Sequence, residues 1–189
     1  MRVRTIAAAT FTLLLALAPA AQADVPPAGE ITCHGDTASV TFSPGVGLLE
    51  TKQTLGGRAD SADCQPLNAD SKVKSASVAL TGSSRASCAL PSTFNVRNEK
   101  LAGTITWHTT DNQTATSQFS VTPDTADRVD INGQGMVVEG RITSGYETGK
   151  KVAFSTTWNR QGLLSDLLKC ATFSFRSVQG ELVTLHVFP

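Results

Sequence analysis

Serine-type nucleophilic catalysis needs a base beside the hydroxyl, and this chain offers three histidines for that work: His34, His108 and His186. His34 directly follows Cys33. His108 falls out of phase with the apolar positions of its segment, and His186 alternates with Leu185 and Val187. All three read as solvent-facing strand positions, and no Gly-x-Ser-x-Gly elbow accompanies them. The acids Glu50, Glu99, Glu139, Glu147 and Glu181 fall at strand ends or turns, where carboxylates are ordinarily solvated. A glycosidase pair would also want an aromatic cleft, and the larger aromatics stop at Trp107, Trp158 and Tyr146. Asp124, Asp127 and Asp130 recur every third residue without EF-hand spacing or its closing glutamate, so they read as an acidic loop around Arg128. The expectation is no catalytic residue, no metal and no cofactor.

Two aromatics have the amphipathic character of contact residues. Trp158, in Trp158-Asn159-Arg160, and Tyr146 are the candidates for a surface contact with a protein or glycan. Packing of Trp158 on the leucines of 163–168 is the competing and favoured reading. Trp107 is expected in the core. Asn112-Gln113-Thr114 matches a glycosylation acceptor, which matters only in a eukaryotic secretory route.

The N-terminus sets the compartment. Arg2 and Arg4 precede an uncharged apolar stretch, and Ala21-Gln22-Ala23 has the small-x-small pattern of a cleavage site, so residues 1–23 read as a signal peptide. Ile6 to Ala21 is 16 residues, short of the roughly 20 that a membrane span needs. No stable membrane anchor is expected, and the protein reads as secreted. Removal of Arg2 and Arg4 leaves fourteen basic residues against sixteen acids, a net charge of −2. That balance argues against nucleic acid or an anionic membrane as partner.

Four cysteines, Cys33, Cys64, Cys88 and Cys170, lie beyond the cleavage point, none at metal-site spacing. In an oxidising compartment they imply two structural disulfides with three possible connectivities. Sequential pairing, Cys33–Cys64 and Cys88–Cys170, is the favoured one. Loops of 32 and 83 residues, counting both ends, correspond to roughly 3.7 and 4.5 kcal/mol of unfolded-state entropy.

Strands must position all of these residues. A flexible leader is expected over 24–32, then one domain over 33–189. Ala38 to Phe42 alternates and ends at Ser43-Pro44-Gly45. Leu48 to Leu55 reads as a strand closed by Gly56-Gly57, Lys74 to Thr81 as one stopped at Gly82-Ser83-Ser84, and Ala86 to Leu90 as a short fourth. Leu101, Gly103, Ile105 and Trp107 at period two, the Asp111-Asn112 turn, and Ser117, Phe119 and Val121 describe a hairpin. A turn at 132–135 separates it from strands over 136–142 and 151–156, with 143–149 between them as a loop. Ala171–Phe175 and Glu181–Val187 are expected to pair across Gln179-Gly180. Leu163, Leu164, Leu167 and Leu168 mark one short helix near 163–169. Turn signals every 8–12 residues or so indicate an all-β, disulfide-stapled antiparallel β-sandwich, Ig-like or jelly-roll-like.

Cys33-x-Gly35 with Val40 to Gly45, then Gly103 to Trp107, Gly140 to Tyr146 closed by Gly149, and Asp166 to Cys170 together give the chain a resemblance. It resembles small, largely uncharacterised secreted proteins of actinomycetes. The resemblance implies a secreted β-sandwich and no activity. The expected role is therefore non-enzymatic recognition of an extracellular protein or glycan. An alternative is a secreted hydrolase inhibitor presenting Arg85 to Pro91 to a protease cleft. A cryptic hydrolase ranks last.

Overall fold

The computed structural model describes residues 25–89, 93–122, 128–131, 134–159 and 174–189. Eleven strands fill most of that length. They are β1 (Ile31–His34), β2 (Thr37–Val46), β3 (Thr51–Ser61), β4 (Asp63–Pro66), β5 (Val73–Ala89), β6 (Thr93–Thr109), β7 (Thr114–Val121), β8 (Arg128–Ile131), β9 (Gly135–Gly145), β10 (Lys151–Trp158) and β11 (Phe175–Phe188). Period-two patterning explains them. In β7 Ala115, Ser117, Phe119 and Val121 are buried while the residues between them face outward, and β10 repeats this with Val152, Phe154, Thr156 and Trp158.

The fold is the antiparallel all-β, sandwich-like and disulfide-stapled class that the turn spacing indicates. Its strand order refines that reading. Following the pairings from β2 through β3, β5, β6, β7, β9, β10 and β11 leads back to β2, because β11 pairs with both β10 and β2. The sheet is a meander closed on itself, without the Greek-key crossings of immunoglobulin-like or jelly-roll sandwiches. The short strands are extensions. β1 and β4 continue β2 and β3 along the end of β11, and β8 pairs with β9 and, at one position, with β6. Closure leaves few unpaired backbone groups on the long strands, which protects them from edge-to-edge association.

Four expected boundaries give way to continuous strands, each at a glycine; the first is Ser43-Pro44-Gly45, which β2 runs through to Val46. β3 runs through Gly56-Gly57, β5 through Gly82-Ser83-Ser84, and β11 through Gln179-Gly180. A Cβ at Gly57 would lie 2.8 Å from Leu80 Cγ, and one at Gly180 would lie 1.9 Å from the Thr157 carbonyl oxygen. These glycines let neighbouring chain come close; they do not turn the backbone. In β5 a register irregularity between Ser83 and Ser84 carries the strand onward. β8, which sequence reading absorbed into an acidic loop, pairs over all its four residues with β9.

The core is the inward face of this closed sheet. Trp107, Phe119, Phe154, Ile31, Leu55, Ile105 and Leu185 are among its fully buried members. Phe119 and Phe154 meet edge to face with centroids 5.9 Å apart. The segment expected as a flexible leader is packed instead. Val25 and Ala28 are buried, and β1 begins at Ile31. The signal peptide, residues 1–23, and the helix expected near 163–169 lie outside the described residues.

Candidate functional site

Cys33 and Cys64 sit directly opposite each other on β1 and β4 and are bonded, with Cα atoms 3.9 Å apart. Cys88 is also disulfide-bonded, and its expected partner, Cys170, lies outside the described residues. Of the two surface-contact candidates, Trp158 is buried and Tyr146 is half-buried. Trp158 closes the inward row of β10 and is buried. Tyr146, at the turn after β9, packs partly buried against the core, its ring 6.1 Å from that of Trp107 at an edge-to-face angle of 65°. The burial expected for Trp107 holds, and its indole N–H donates to Ser117 Oγ at 2.8 Å.

The histidines stand on separate strands. His34 is exposed on β1, His108 is half-buried on β6, and His186 on β11 shares a 2.6 Å contact with Glu30 and stacks on Phe188. Asp130 belongs to β8, while Asp124 and Asp127 lie outside the described residues, among which no metal-ligand cluster forms. The segment considered as an inhibitory loop is mostly ladder. Ala86 pairs with Thr51 on one side and Val96 on the other, and the Cys88 amide donates to the Gly47 carbonyl at 2.8 Å.

Polar chemistry concentrates at the end of the sheet where the turns 67–72, 110–113 and 146–150 meet the N-terminal strap 25–30. Glu147, with a side chain only 2% exposed, lies 2.7 Å from the Lys150 ammonium. Its Oε1 accepts the Ala28 amide, and the Gly29 amide at 3.3 Å. Lys150 in turn donates to the Gly29 carbonyl. The Tyr146 hydroxyl donates to the Pro26 carbonyl at 2.8 Å, and Asn68 donates from its side chain to Pro27 and from its backbone to Ala28, both at 2.8 Å. Burial, and then the adjacent Glu147 carboxylate, push the Tyr146 phenol up to about 12. Nearby, the Thr109 hydroxyl and then Lys72 hold the Asp111 carboxyl below its ordinary range. Each of these groups is satisfied by the strap or by a turn. The end is a structural latch.

The latched end also exposes one leucine, Leu67, on its 67–72 turn; the opposite end exposes two side by side. The turn between β2 and β3 carries Leu48 and Leu49, 60% and 80% exposed. The turn is held from both sides. The Gln53 side chain accepts from the Gly45 amide at 2.9 Å and donates to the Gly45 carbonyl at 3.0 Å. Gly47 accepts from Cys88, and Glu50 lies 3.5 Å from Arg85. Two adjacent leucines on a braced turn, rimmed by an ion pair, form an apolar projection with little left to order on binding. Sequence reading placed Leu48 inside a strand, where alternation would have buried one of the pair.

No protein-family model, no curated protein and no solved structure matches this chain. Among the described residues no helix is long and apolar enough to cross a membrane.

Proposed function

We propose that the protein is a secreted, non-enzymatic recognition domain that contacts an extracellular protein through the tip of the β2–β3 hairpin. The exposure of Leu48 and Leu49 carries this reading, since a pre-organised apolar centre with a polar rim is the anatomy of a protein contact. The signal-like N-terminus and the disulfides support an oxidising, extracellular setting. A protein is favoured over a glycan because both tryptophans are buried and the one tyrosine is engaged with Pro26, which leaves none of them as a sugar-stacking platform. The inhibitor alternative has less support, because Ala86 is paired on both sides.

A photo-cross-linking residue at position 49, applied to the fluids and cell surfaces the protein meets, tests the proposal. One dominant protein adduct is expected; it should be lost when Leu48→Ser is combined with the position-49 probe, and it should not form from a probe at an unrelated exposed site such as Val183. Adducts that do not depend on Leu48, or hydrolase activity in the purified protein, would count against it.

A further inference from the structure

Along the same hairpin lies a trough of about 280 Å3, framed by Ser39, Thr41, Gly56, Arg58, Ala79 and Thr81. The ladder explains its shape. Thr41, Gly56 and Thr81 stand side by side across β2, β3 and β5, and Ser39, Arg58 and Ala79 form the next row. Gly56 and Ala79 add almost no side chain, so the surface dips between flanking hydroxyls. A Cβ at Gly56 would already crowd Thr41 Oγ1 at 3.0 Å, and that hydroxyl is fixed by donating to the Gly56 carbonyl at 3.1 Å. Arg58 is exposed at this dip and forms no ion pair with a described residue.

We propose that the trough is the subsite that receives a carboxylate side chain of the extracellular protein partner, with Arg58 as its receptor. The inference rests on the hairpin reading above and deepens it. A guanidinium offers two parallel donors that match a carboxylate, and the trough wall adds the Ser39 and Thr81 hydroxyls as further donors. From Leu49 to Arg58 is nine residues, about 30 Å of extended chain. That is roughly the width of one side of a standard interface of about 800 Å2. One partner can therefore cover the apolar tip and the basic trough together.

Amide chemical shifts of the mature, disulfide-bonded protein provide the test, with an acetylated and amidated tetraglutamate peptide as probe and trigalacturonate as its sugar counterpart. At low salt the peptide should shift the Gly56, Gly57 and Thr81 amides saturably. Arg58→Gln should weaken that binding at least fivefold, and Arg141→Gln, at an exposed position of β9, should leave it within twofold. Absence of a saturable shift, an unchanged response in Arg58→Gln, or a response to trigalacturonate alone would overturn the assignment. A position-49 adduct that survives Arg58→Gln while the peptide fails would separate loss of this subsite from loss of the hairpin reading.

Discussion

Tyr146 is the one tyrosine of the chain, so its ionisation can be followed by absorbance without assignment. In the folded protein the phenol is held at about 12, against about 10 in an unfolded chain. The native state therefore grips the proton more tightly. The stability this contributes is complete below pH 10 and is lost as the pH rises through about 12. The expected titration midpoint is near 12 in buffer and near 10 in urea; a native midpoint near 10 would contradict the docking of Tyr146 beneath the strap. Glu147 makes a second test at the same place. Glu147→Ala removes the acceptor for two amides and takes the carboxylate from a half-buried lysine, so urea unfolding should show a loss of about 2–4 kcal/mol. Glu147→Gln, which keeps an acceptor but not the charge, should lose less. None of this was legible in the sequence. Glu147 looked like any acid in a turn, and only the fold brings residues 25–30 to it across more than a hundred positions.

Strand existence was readable because alternation is a local signal, and β6, β7 and β10 follow it closely. Strand ends were not. Glycine marks turns and close approaches alike, and the sequence around Gly57, Gly82 or Gly180 does not say which partner lies opposite. The hairpin of β6 and β7 shows what such a glycine does. Gly103 faces Phe119 directly, and a Cβ there would lie 2.4 Å from the Ala79 carbonyl and 2.5 Å from Phe119 Cζ. The aromatic ring covers the bare backbone, as in aromatic rescue of glycine. Gly103→Ala should therefore destabilise by about 1–3 kcal/mol through overpacking. Equal or greater stability in thermal melts would mean that Phe119 moves aside freely. The same reasoning explains why Leu48 and Leu49 were missed as a site. An exposed apolar pair becomes visible only once the turn is seen to project from β2 and β3.

At the scale of the molecule, sequential pairing of the first two cysteines is borne out, and it ties β1 to β4 where both extend past the main ladder. With a sequence separation of 31, replacing both Cys33 and Cys64 by alanine should lower stability by about 3.7 kcal/mol on the loop-entropy estimate. Guanidinium denaturation of the double variant checks this. The closed strand order itself lay beyond sequence reading, because closure depends on β11 meeting both β10 and β2, a long-range choice that no local pattern encodes. Closure also divides the molecule into a latched end, where polar groups satisfy one another and a single leucine, Leu67, is exposed, and a braced hairpin that leaves two adjacent leucines and an arginine facing solvent. Hydrogen exchange of the protein alone and bound to its cross-linked partner tests that division most directly. Recognition through the hairpin requires new protection within residues 46–58 and none at the strap 25–30 or the turn 146–150. Protection centred on the latch, with the hairpin unchanged, would contradict it.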